Sequence, residues 1–141
     1  METLSSNSIT ISTTVNAPVD KVWNCFNTPA HITQWCFASE DWHAPAASSD
    51  FVIGGKSNIR MEAKDGSFGF DFGWTFDNII PLKLVAYTME DGRKAAVTFQ
   101  ETDAGVTVTE QFDPEQENPH DMQRAGWQSI LDNFRKYVES H

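Results

Sequence analysis

Between residues 68 and 77 an aromatic side chain occupies every second position. Phe68, Phe70, Phe72, Trp74 and Phe76 share one phase, and Gly69, Asp71, Gly73, Thr75 and Asp77 share the other. A period of two over this length specifies a β-strand with two unlike faces. The aromatic face has to be covered and the polar face meets water, which calls for an antiparallel sheet with one wet side. Whatever covers the ladder must offer an apolar stripe of comparable length.

The neighbouring segments supply the sheet. Ile9, Ile11, Thr13 and Val15 alternate with polar residues, as do Ile59, Met61 and Ala63, then Ala95, Val97 and Phe99, and finally Val106, Val108 and Phe112. Asp65-Gly66 and Asp91-Gly92 read as two-residue hairpin turns, and Gly105 closes a third hairpin. Pro81 interrupts the ladder strand before Leu84–Thr88 resumes. The Pro- and Ala-rich stretch from Trp42 to Ala47 leads toward a loop. From Asp50 the chain is strand-like again, with a turn or bulge at Gly54-Gly55.

Three helices complete the order. Pro18 suits the first helical position, followed by Val19, Val22, Trp23 and Phe26 on one face. Thr28-Pro29 repeats the start signal for a short helix bearing Ile32 and Trp35, and Asn118-Pro119 opens a long one. The stripe of that last helix is Met122, Ala125, Trp127, Ile130, Leu131, Phe134 and Val138. Strand, two helices, antiparallel strands and a long helix make an α+β domain whose final helix covers the aromatic face.

At 141 residues the chain is one domain, able to bury roughly 70% of its unfolded surface. Its 20 acidic residues against 10 Lys and Arg, a formal charge of −10, oppose nucleic acid and anionic membranes as partners. Glu101, Asp103, Glu110, Asp113, Glu115 and Glu117 crowd a stretch where Arg93 and Lys94 are the fixed cations, a solvated face or a docking face for a basic protein. Residues 1–8 are polar and expected to be flexible, and they resemble no signal peptide. No apolar run is long enough to span a bilayer. A cytoplasmic location is expected, where Cys25 and Cys36 act as small hydrophobes.

The element order resembles the helix-grip fold of the START and Bet v 1-like (SRPBCC) superfamily. The wording resembles its bacterial branch similar to the C-terminal domain of the Hsp90 ATPase activator. The matching phrases are Asn16-Ala-Pro-Val-Asp-Lys-Val-Trp23, Gly54-Gly-Lys56, Met61-Glu-Ala-Lys-Asp-Gly66, Glu90-Asp-Gly-Arg93 and Gly126-Trp-Gln-Ser-Ile-Leu-Asp-Asn-Phe-Arg-Lys-Tyr-Val138. The resemblance implies a curved sheet around the long helix with an apolar cavity between them. Relatives bind lipids, sterols or polyketides, and a few act as cyclases or dehydratases. A counterpart of the activator's separate N-terminal domain is not expected in 141 residues.

The expected walls of such a cavity are Trp35, Trp42, Met61, Phe70, Phe72, Trp74, Phe99, Trp127 and Ile130. Glu110 shares its strand phase with Val106, Val108 and Phe112, so its carboxyl is expected to point inward, or to reach Arg124, a backbone amide or water at the sheet end. His43 beside Trp42 is the candidate partner for acid–base chemistry with Glu110. His31, Cys36 and His43 fit no zinc spacing, and the chain has neither a Gly-x-Ser-x-Gly elbow nor a P-loop. No cofactor is expected. The expectation is a monomer or weak dimer that binds a small apolar molecule. The alternatives are a cyclase or dehydratase using Glu110 and His43, and a chaperone-related protein-interaction module with a possible stress-response role.

Overall fold

The computed structural model describes residues 8–141. Of the polar start, residues 1–7 lie outside the described residues, and Ser8 accepts a hydrogen bond from Gln111 Nε2 at 2.8 Å. Among the described residues the elements are β1 (Ile9–Val15), α1 (Val19–Asn27), α2 (Pro29–Trp35), β2 (Trp42–Ser49), β3 (Lys56–Ala63), β4 (Gly69–Ile80), β5 (Leu84–Met89), β6 (Lys94–Thr102), β7 (Gly105–Phe112) and α3 (His120–Ser140). The strands form one antiparallel sheet in the order β1-β7-β6-β5-β4-β3-β2. Every pair from β2 to β7 is therefore a hairpin, and the α1–α2 connection carries the chain from one sheet edge to the other. The expected helix-grip architecture is the observed one, a curled half-barrel around a C-terminal helix. No helix among the described residues is long and apolar enough to cross a membrane.

Several local signals resolve differently from their sequence reading. Trp42–Ala47 is not the approach to a loop but most of β2, an edge strand in which the register shifts between His43 and Ala46. Pro45 sits in that irregularity, where a missing N–H costs no ladder bond. The strand-like stretch from Asp50 is a turn instead. Gly54 there takes φ 85°, Gly55 donates to Val52 O at 2.9 Å, and the regular ladder of β3 begins at Lys56, although Gly54 N and Gly55 O already bond Phe76 of β4. Asp65-Gly66 sits in a four-residue loop closed by Ala63 N donating to Phe68 O at 2.8 Å, with Asp65 Oδ1 accepting from Ser67 N. Pro18 and Pro119 occupy N-cap rather than first-turn positions. Thr28 precedes Pro29 as expected, but its hydroxyl donates to Asn24 Oδ1.

The two halves of α3 behave differently. Its C-terminal half buries Leu131, Phe134 and Val138 completely, and Phe134 meets Phe26 and Trp35 edge-on at 5.2 and 4.8 Å. Along its length the helix is sewn to the free edge of β1. Arg124 Nη1 donates to Thr10 O at 2.8 Å, Gln128 Nε2 donates to Ser12 O at 3.2 Å, and Glu139 Oε2 accepts from Asn16 N at 2.9 Å. The first two bonds occupy carbonyls, and the third an N–H just past the strand, that would otherwise invite another strand. Met122 and Ala125, expected in the buried stripe, are exposed at the N-terminal end. Phe134→Ala is expected to cost about 3–5 kcal/mol. Trp127→Ala should cost less, because the indole is only partly buried. Urea denaturation of both variants checks this, and equal losses would contradict the division of the helix.

Candidate functional site

The backbone of α3 runs closest to β1 and also meets α1 and α2. Toward β3–β5 the gap is bridged by side chains, such as the edge-on pair Phe72 and Trp127 at 6.2 Å. The space left behind is a cavity of about 400 Å³. Of the walls expected from sequence, Trp35, Met61, Phe70, Phe72, Trp74, Trp127 and Ile130 line it. Two do not. Phe99 packs against Trp23 and Phe26 beneath α1, at 5.0 and 5.5 Å. Trp42 lines a smaller pocket of about 240 Å³ that shares Cys36, Met61, Phe70 and Ile130 with the main one.

The alternation along β4 explains most of the lining, yet the ladder is not uniformly covered. Phe76 is buried, whereas Phe68 and Phe70 are 61% and 40% exposed. Both rings lean on Trp42, at 5.9 and 6.0 Å. Trp42 reaches them because its partner in β3 is the small residue Ala63. On the helix side Trp127 stacks on Phe112 with centroids 3.8 Å apart and planes at 9°. The N-terminal end of α3 is held by Gln123, whose amide accepts from Glu115 N and donates to Glu115 O and Asn118 O.

Gly126 is a wall residue that the sequence reading passed over. It sits inside α3 on the cavity, and a Cβ built there meets no atom within 4 Å. A glycine inside a helix costs about 1 kcal/mol relative to alanine. No close approach requires it here, so its effect is to keep volume open. The available signal was a lone glycine within an apolar helical stripe.

Glu110 points inward as expected. It lies opposite Ile11 and Val97, is 8% exposed, and accepts no hydrogen bond or ion pair among the described residues. Arg124, its expected partner, is committed to Thr10 O. Burial pushes the Glu110 carboxyl from 4.5 up to about 8, so it is a neutral acid at pH 7. Burial and the nearby Glu110 together push the Cys36 thiol up to about 12, which makes it a poor nucleophile. Tyr87 is raised well above its ordinary value by the same two causes.

The structure does not bring His43 to Glu110. Four strands separate β2 from β7, and His43 Nε2 lies 3.9 Å from Glu62 Oε1 on the partly exposed edge. His31 Nδ1 shares a hydrogen bond with Tyr137 OH at 2.7 Å. Among the described residues no group of three His, Cys, Asp or Glu side chains is arranged to hold a metal ion.

Comparison with known proteins places this geometry. The model of the family described as activator of Hsp90 ATPase homolog 1-like protein matches residues 16–139. The chain belongs to this family. An AHSA1-like protein from Aeromonas hydrophila is 41% identical, with a TM-score of 0.89 over 94% of this chain and 92% of that one. A protein from Cytophaga hutchinsonii is 46% identical, with a TM-score of 0.82 over 96% and 94%. A protein from Nitrosomonas europaea at 16% identity shares the fold, with a TM-score of 0.82 over 94% of each chain. No curated protein matches.

The buried carboxyl has a measurable signature. An acid whose pKa rises on folding holds its proton in the native state while the unfolded chain loses it, so stability falls as pH rises from about 4.5 to about 8 and is level beyond. Glu110→Gln should leave stability at pH 4 nearly unchanged and add more than about 1 kcal/mol at pH 8. Parallel pH profiles for the two proteins in urea denaturation would refute the buried neutral acid.

Proposed function

We propose that this protein binds a small, predominantly apolar molecule between α3 and the inner face of the sheet. The observation that carries the reading is the cavity itself. About 400 Å³ enclosed mostly by aromatic and aliphatic side chains is the size and chemistry of a small-molecule site. Gly126 supports it, since a helix that served only to fill the sheet would gain by placing a side chain there. Membership of a superfamily whose members carry lipids, sterols or polyketides points the same way. Trp35, Met61, Phe70, Phe72, Trp74, Trp127 and Ile130 are the proposed contacts.

A cyclase or dehydratase would need the inward acid to meet a base. Glu110 is in the cavity, but its candidate partner His43 faces Glu62 at the sheet edge. The geometry therefore favours holding a molecule over transforming it.

Titration with fatty acids, sterols and flavonoid-type polyketides, followed in two-dimensional amide spectra, tests the reading. Saturable shifts are expected at the indole signals of Trp74 and Trp127 and not at Trp23, which lies on α1 against Phe51 and Phe99 outside the cavity lining. Gly126→Ala should stabilise the protein by about 1 kcal/mol. Gly126→Leu, which adds volume inside the cavity, should weaken every such ligand at least tenfold while preserving the dispersed spectrum. A panel that leaves the indole signals of the folded wild type unmoved would overturn the proposal.

A further inference from the structure

The inner face of the sheet carries a polar row beside its aromatic one. Ser49 on β2 lies opposite Ser57 on β3, and Ser57 lies opposite Trp74 on β4. All three line the cavity. Ser57 is satisfied, its hydroxyl donating to Ser48 O at 3.0 Å. The Ser49 hydroxyl oxygen and the Trp74 indole nitrogen are buried and have no hydrogen-bond partner among the described residues.

These two atoms are fully enclosed and unpaired, and they fall on one row of one cavity, across the sheet from the likewise unpaired carboxyl of Glu110 on β7. Buried polar groups in native structures are nearly always paired, so each exception asks for a reason. The fold does pair a buried indole elsewhere, where Trp35 Nε1 donates to Cys25 O at 2.9 Å. An indole N–H donates only, and a serine hydroxyl donates or accepts, so the complement of this pair is an oxygen acceptor.

The rest of the lining narrows the choice. Phe72 lies 5.4 Å from Trp74, Tyr87 lies 5.1 Å from it, and Trp127 faces Phe72 across the gap. Such walls suit a flat ring system. The lining guanidinium of Arg93 is already held by Asp91 Oδ2 at 2.7 Å, and Glu110 and Glu115 also border the space. Glu110 is a neutral acid at pH 7, so an anionic ligand would meet the acidic side chain of Glu115 while the lining cation Arg93 is already paired.

We propose that the ligand is a neutral, ring-bearing molecule whose ketone, ether or hydroxyl oxygen is seated on the Trp74 indole N–H and the Ser49 hydroxyl. This rests on reading the cavity as a binding site, and it adds where the polar end of the ligand lies and which charge state enters.

A matched set of probes separates the two claims. Acetylnaphthalene, ethylnaphthalene and naphthoate share a ring body and differ in bearing a neutral acceptor, no acceptor, or a charge. The ketone is expected to bind about five- to tenfold more tightly than the hydrocarbon, the gain of one hydrogen bond to a previously unpaired group. Naphthoate should bind more weakly than the ketone. In the wild type the Trp74 indole proton should move downfield with the ketone and not with the hydrocarbon. Ser49→Ala and Trp74→Phe should each reduce the ketone-to-hydrocarbon affinity ratio toward one, a ratio in which any loss of wall contact common to both probes cancels. The indole signal and the Ser49 variant carry the test if Trp74→Phe fails to fold.

Equal affinity for ketone and hydrocarbon, a ketone preference that survives both substitutions, or naphthoate binding as tightly as the ketone would overturn this assignment and leave the cavity reading standing. Binding of none of the three would overturn both.

Discussion

The C-terminal half of α3 buries Leu131, Phe134 and Val138 among the rings of α1 and α2, and the shape of the molecule depends on that clamp. With one end locked, the helix axis is set by β1, whose edge carbonyls accept from Arg124 and Gln128. The opposite side of the helix then cannot settle onto β3–β5. A helix free to collapse would close the gap to gain dispersion and hydrophobic energy. One pinned at its end and along one edge leaves a void, and the void is the candidate site.

Polar groups inside this void follow the same logic. Glu110, Ser49 and Trp74 would each be costly in a filled core, because nothing there would answer their hydrogen-bonding needs. Beside a void, a molecule that enters is able to supply the partner that a filled core cannot. The sheet also separates its two jobs cleanly. Its outer face carries the charged pairs, such as Arg60 with Glu62 and Asp71, while the inner face keeps rings and a few neutral donors.

Most of the architecture was legible because it depends on short-range patterns. Alternation located the interior strands, Asp-Gly and Gly signals located the hairpins, and the stripe from Trp127 to Val138 located the covering helix. The reading failed where local propensity and tertiary context disagree. Trp42–Ala47 looks unlike a strand, yet an edge position with a bulge tolerates Pro45 and small residues. Phe68 and Phe70 continue a perfect alternation, yet their exposure depends on how far α3 extends over the sheet. Phe99 and Trp42 share inward phases with true wall residues, and only the curl of the sheet sends them to other neighbours.

By itself, then, the sequence determined the fold class, the family, and the inward phase of Glu110, since side-chain direction in a strand follows from counting in twos. Tertiary structure alone decided that the space is open, that Gly126 helps to keep it so, that His43 lies away from Glu110, and that Trp74 and Ser49 lack partners. Those facts depend on the separation between elements distant in the chain. That separation results from packing many side chains at once, and no local pattern encodes it.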